Sequence, residues 1–297
     1  MTSATVERRR AEAVEREGVA PKLTRLVAKA PLNFILLLVA LFWLIPTAGL
    51  FVTSILTRSD QAEGGWWNFV TKPSAWTLEN YSNMFDNEGI THALWVTVLV
   101  TLGATILPII VAALAGYALA WIEFPGRDWV FLAVVGLLLV PIQTALIPIF
   151  TLYNNLELFD TIPGLILFHT AFALPFAVFL LRNFFAGIPK DLMEAARIDG
   201  ASEFRLFFRV VLPLGLPAIA ALAIFQVLFV WNDLLIGLVM ATSNQPIAPA
   251  IASQLRQFGS NLDILAPASF FSAIVPLTIF ALFQRYFVQG LLAGSVK

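Results

Sequence analysis

Asp233 lies in an otherwise uncharged apolar run, VLPLGLPAIAALAIFQVLFVWNDLLIGLVM, with Asn232 beside it and Gln226 seven residues earlier. A carboxylate in a membrane costs about 2.5–3.5 kcal/mol on insertion scales, so it faces a cavity or a partner. Residues seven apart fall within about 20° of each other on an ideal helix, which puts Gln226 and Asp233 on one face. Such groups either line a pathway for a polar solute or bond a neighbouring helix, and the same choice holds for Gln143, Thr144 and His169. Chemistry of other kinds is poorly supplied. His92 and His169 lack a histidine or glutamate at metal-ligand spacing, so no metal site is expected. The absence of cysteine excludes disulfides and thiolate sites. No Gly-Lys dipeptide occurs, which removes the loop that cradles nucleotide phosphates. Neither a Ser-His-Asp set nor paired carboxylates at membrane depth supports an enzyme.

The elements that must hold these groups follow from composition. With 59% hydrophobic and 12% charged residues and a mean hydropathy of +0.83 over 297 residues, the chain departs from the roughly 25% charge of soluble domains. Six stretches free of Asp, Glu, Lys and Arg are long enough to span the bilayer: 31–57, 89–122, 129–156, 161–181, 210–232 continuing past Asp233, and 264–284. Continuous apolar faces exclude the ten-residue alternation of a barrel, so the expected fold is an all-α integral membrane protein with six transmembrane helices. The polar first thirty residues and the length of the first apolar run argue against a cleavable leader. Pro46, Pro108, Pro141, Pro148, Pro175 and Pro276 should bend their spans.

Placing both termini on the cytoplasmic side puts fifteen of the eighteen Lys and Arg there and leaves Arg58, Lys72 and Arg256 outside, as the positive-inside rule requires. The expected layout is a cytoplasmic tail 1–30, a membrane domain 31–288 and a cytoplasmic tail 289–297. The outer segments are 58–88, 157–160 and 242–263. Trp95, Trp121 and Trp129 suit the interface, whereas Trp66, Trp67 and Trp76 in the first outer loop either pack within it or meet a partner.

The charged block 186–213 falls on the cytoplasmic side. Pro189 and Asp191 suit a helix start, Gly200 a left-handed stop, and Ser202 the cap of a second helix ending near Pro213. Two short helices about a glycine bend make a protruding knob suited to docking.

This block, EAARIDGASEFRLFFRVVLP, resembles the EAA loop of binding-protein-dependent ABC importer permeases, in which the loop seats in a cleft of a cytoplasmic ATPase. The matching residues are Glu194, Ala195, Ala196, Asp199, Gly200, Ala201 and Pro213. TLENY at 77–81, FPGR at 124–127, WNDLL at 231–235 and QRYFVQGLLAGSVK at the C-terminus resemble the maltose-type permeases of carbohydrate importers. The resemblance implies the type I importer permease fold in a bacterial cytoplasmic membrane. Implied partners are a second permease, forming a heterodimer, two P-loop ATPase subunits that bind the ATP and Mg²⁺, and an extracellular sugar-binding protein. No cofactor in this chain and no nucleic-acid partner are implied. Gln143, Gln226, Asn232 and Asp233 are then candidates for the pathway, and Asn244, Gln245, Gln254, Arg256 and Gln257 for contact with the binding protein. Glucose or a glucoside is the preferred substrate. A permease for another solute, or a self-sufficient secondary transporter, is the alternative.

Overall fold

The computed structural model describes residues 31–63, 65–70, 76–258 and 261–293; the tail at 1–30 lies outside the described residues. Helix follows helix: α1 Pro31–Ser54, α2 Arg58–Glu63, a 3₁₀ turn Trp66–Val70, α3 Glu79–Asp86, α4 Glu88–Trp121, α5 Arg127–Gly136, α6 Ile142–Asn155, α7 Ile162–Ala186, α8 Lys190–Ile198, α9 Glu203–Leu206, α10 Leu212–Trp231, α11 Leu235–Met240, α12 Ile247–Phe258 and α13 Leu262–Ala293. The described residues contain no strand, only an isolated bridge between Leu56 and Trp76. Five helices are long and apolar enough to cross a membrane, or six if α5 and α6 count as one span.

Helices α4, α7 and α10 form the centre, with α13 packed on α10 and α12 wedged between α4 and α13. The α4–α7 approach depends on Gly116, where an added Cβ would lie 3.0 Å from the backbone nitrogen of Arg182. Outward faces are apolar: Trp43 is 72% exposed, Ile147 79% and Leu139 84%. Such faces suit hydrocarbon, which cannot compete for backbone hydrogen bonds.

Several expectations are corrected. The third apolar stretch is two helices meeting at 99°. Pro141 has no N–H to give and disfavours the helical region for Val140, whose ψ is 112°. The fifth stretch does not continue past Asp233, because α10 ends at Trp231 and α11 starts afresh at Leu235. The common face inferred for Gln226 and Asp233 therefore does not exist. The segment 242–263 is no open loop: it folds into α12, where Ile247 and Ala250 are buried against Met84, Ile90 and Ala93. At the C-terminus, α13 runs through Ala293, five residues into the expected tail.

Candidate functional site

The charged block forms the knob that its residue types predict. Asp191 sits in the first turn of α8 and Arg197 in the last, both favourable to the helix dipole. Gly200 has φ 78°, where an L side chain would be strained. Its N–H donates to Arg197 O at 3.0 Å and that of Ala201 to Ala196 O at 3.0 Å, the pair of bonds that closes a helix at a left-handed glycine. Ser202 Oγ accepts from Arg205 N at 3.4 Å and caps α9.

The faces of the knob differ sharply. Met193 is fully buried and belongs to one apolar cluster with Tyr117 of α4, Phe185 of α7, Ile188, Leu206, Phe207 and Val211, which seats α8 against the bundle. Glu194, Ala195, Asp199 and Gly200 are exposed, while Ala196 and Ala201 pack partly against the cluster. Ile198, Phe204 and Phe208 are exposed beside the charged residues, at 86%, 73% and 44%. The second helix does not stop near Pro213. A π-helical turn over Phe207–Val211 leads from α9 into α10, with Leu212 N–H donating to Phe207 O. A wider turn accommodates the proline ring without ending the helix, so Pro213 lies in the first turn of α10 and the knob is continuous with a membrane span.

At the opposite end of α10, WNDLL has a structural reading residue by residue. Trp231 Nε1 donates to Ser272 O at 2.9 Å and pins α10 to α13. Asn232, exposed, donates back to Leu228 O at 2.7 Å. Asp233 Oδ2 accepts from Ile236 N at 3.1 Å and Gly237 N at 3.2 Å, capping α11, and lies 3.9 Å from His169 Nε2. Gln226 is buried and donates to Ala104 O on α4 at 3.0 Å. Of the candidate pathway groups, Gln143 and Asn232 are exposed; Gln226 points into the subunit's own interior. Gln143 lies in the first turn of α6, just beyond the α5–α6 elbow.

One residue that the sequence reading passed over organises this end. Asp160, at φ 57°, accepts from the N–H groups of Thr242, Ser243 and Asn244 at 2.8–3.0 Å and from Thr242 Oγ1 at 2.7 Å. Asn244 Nδ2 donates to Asp160 O at 2.6 Å. The partners are more than eighty residues apart in the chain, so no local spacing could have found them. Burial alone would raise the carboxyl, but the bonds from Asn244, Thr242 and Ser243 outweigh it and hold Asp160 below the usual carboxylate range. With the folded value held below the unfolded one near pH 4, the stability that the clasp contributes is complete above about pH 4 and is lost progressively as pH falls from there through the folded value. The melting temperature of the purified chain should therefore fall less between pH 7 and pH 3 in Asp160→Ala than in the wild type; equal falls would deny the clasp a role. Among the candidate contacts for a binding protein, Asn244 and Gln245 are engaged internally, Gln245 donating to Ala241 O at 3.3 Å. Gln254 is half-buried, and the side chains of Arg256 and Gln257 lie outside the described ones.

The family described as binding-protein-dependent transport system inner membrane component matches residues 109–293. The osmoprotective compounds uptake permease protein GgtD of Synechocystis is 42% identical over 275 residues, 91% of this chain and 92% of its own. The alpha-glucoside transport system permease protein AglG of Rhizobium meliloti is 44% identical over 235 residues, 76% of this chain but only 62% of its own. In fold, the chain is similar to a chain of a bacterial ABC transporter that imports the acidic polysaccharide alginate, with a TM-score of 0.73 at 20% identity over 89% of this chain and 98% of that one. A second structure, of an alginate transporter in complex with its alginate pentasaccharide-bound periplasmic protein, gives 0.65 at 18% identity over 87% of this chain and 94% of that one. The knob, the bundle and these matches converge: the chain belongs to the binding-protein-dependent transport system inner membrane components, the non-enzymatic, membrane-spanning permease subunits of ABC importers.

Proposed function

We propose that the chain is one half of the translocation unit of a carbohydrate importer in a bacterial cytoplasmic membrane, with both termini and the α8–α9 knob on the cytoplasmic side. The observation that carries this reading is the continuity of the knob with α10, through which a load on α8 reaches a whole span. Of two ATPase subunits, one grips the exposed face of the knob at Glu194, Ala195, Asp199 and Gly200. Their closure rocks the bundle, and solute released by an external binding protein crosses between this chain and a second permease.

The α5–α6 elbow supports that placement of the pathway. Non-helical backbone at membrane depth is tolerated only against protein or a water-lined cavity. The elbow brings Gln143 and Thr144 to an exposed surface beside extended backbone at Val140 and Pro141. A partner permease and a polar pathway meet that requirement, whereas lipid does not.

For the substrate, a glucoside is the reading best supported by the similarity to a permease named for alpha-glucosides; a glucoside serving as an osmoprotectant agrees with the other name as well. The test is ATP-dependent uptake of labelled solutes by membrane vesicles holding the complete importer. Competition by unlabelled α-glucosides but not by pentose oligosaccharides or amino acids is expected, and competition by amino acids alone would reject a carbohydrate substrate. Glu194→Lys is expected to remove the ATPase subunits from the purified complex, as judged by mass spectrometry of co-purifying chains. Their full retention would reject the docking role.

A further inference from the structure

Glu203 joins three elements that the docking role by itself does not require to be joined. It is the first residue of α9. Its Oε1 accepts from Arg197 on α8, with Nη2 at 3.1 Å and Nε at 3.2 Å. Its Oε2 accepts the hydroxyl proton of Tyr117 on α4, and its backbone oxygen lies 3.4 Å from the same hydroxyl. Tyr117 is 5% exposed, packs its ring on Phe207 at 5.3 Å between centroids, and stands one turn before Trp121, whose Nε1 donates to Phe185 O at 2.9 Å.

The chain of contacts Arg197–Glu203–Tyr117 therefore runs from the last turn of α8, across the glycine bend, to α4. Without it, among the described residues the knob would be joined to the bundle by the covalent links at its two ends, through 187–189 to α7 and through α9 to α10, and by the non-directional packing of Met193 and its neighbours, none of which is a polar contact with α4. With it, α4 is tied to the same carboxylate that holds α8. Helix α4 also packs along α7 and α10.

We propose that Glu203 and Tyr117 are positioning residues of the transport cycle, a polar bridge through which displacement of α8 is passed to α4 as well as to α10. The inference rests on the docking reading above. Loss of the bridge leaves the ATPase seated but lets part of each power stroke pass without moving the second span.

The experiment uses the whole importer reconstituted in liposomes with its binding protein, and reads ATP hydrolysed per solute accumulated. Tyr117→Phe deletes only the hydroxyl and keeps the ring on Phe207; Glu203→Gln removes the ion pair. Each is expected to raise the ratio about fivefold, the order of one net hydrogen bond, and the double variant is expected to be no worse than the poorer single. ATPase co-purification should stay at the wild-type value, the melting temperature should fall by about 2–4 °C at most, as one hydrogen bond accounts for, and Glu203→Asp should restore part of the coupling. A wild-type ratio in both single variants overturns the bridge. So does loss of the ATPase subunits in Tyr117→Phe, or a fall in its melting temperature well beyond about 4 °C, which would make the contact a structural strut. Glu194→Lys, run in parallel, separates the two ideas: retention of the ATPase there sinks the docking reading itself, while its release beside an unchanged ratio in Tyr117→Phe sinks only the bridge.

Discussion

Met193→Glu is expected to reduce ATP-driven uptake by about a hundredfold while the bundle still folds. Met193 is fully buried in the apolar cluster that includes Phe185, Ile188, Leu206 and Phe207, and Arg197, four residues on, is already paired with Glu203. Stranding an uncompensated charge in such a site costs about 3–5 kcal/mol. Helix α8 is short, and the cheapest relief is for it to lift from that cluster, exposing the new carboxylate to water. The spans, held by their own contacts, need not follow. Met193→Ala should be milder, because deleting a buried methionine costs about 2–5 kcal/mol and the lower end applies where neighbours can collapse. Protease sensitivity confined to 187–202, together with lost uptake, is the expected pattern in Met193→Glu. Normal uptake would mean that the docked position of α8 is irrelevant to coupling. The neighbouring Glu194→Lys changes an exposed residue and leaves α8 docked, so the two variants separate attachment to the bundle from attachment to the ATPase.

The knob was legible because its determinants are local. Asp191, Gly200 and Ser202 act on backbone groups within a turn or two, and each does in the structure what its position in the sequence predicts. The spans were legible for the same reason, since an apolar run of sufficient length has few alternatives to a helix. What the sequence left hidden depends on contacts between distant segments or on the outcome of a competition. Pro141 and Pro148 both lie in the third stretch, yet only Pro141 breaks it; Pro148 stays inside α6. Pro213 was expected to end a helix and instead follows a π turn that carries the helix past it. Asp160 lies in a four-residue link with nothing nearby to mark it, because its partners arrive from 242–244 only when α7 and α11 are packed. Pathway candidates fared differently from the knob for the same reason: a polar side chain within a span does not disclose which side of its helix meets a neighbour, and Gln226 meets α4.

Asp233 puts that ambiguity to a direct test. Two roles are open to a carboxylate at the end of a span, a fixed charge facing the pathway or a cap for the next helix, and two substitutions distinguish them. Asp233→Ala removes the acceptor of the Ile236 and Gly237 N–H groups, both belonging to buried residues. It also leaves His169 without the carboxylate 3.9 Å away, beside an Nδ1 atom that already has no hydrogen-bond partner. Each buried group left unsatisfied costs about 1–3 kcal/mol, enough to unwind α11 and loosen the 242–246 segment that Asp160 holds. Uptake is expected to fall by about thirtyfold, with a lower melting temperature. Asp233→Asn keeps an acceptor oxygen, and asparagine is as good a helix cap as aspartate. It should retain about half of the uptake and nearly all of the stability, because only the charge has gone. If the charge itself acted on solute, Asn would fail as badly as Ala while the protein stayed folded. The short geometry to Ile236 and Gly237 favours the cap, and a near-normal Asp233→Asn beside a failing Asp233→Ala is the result expected from it.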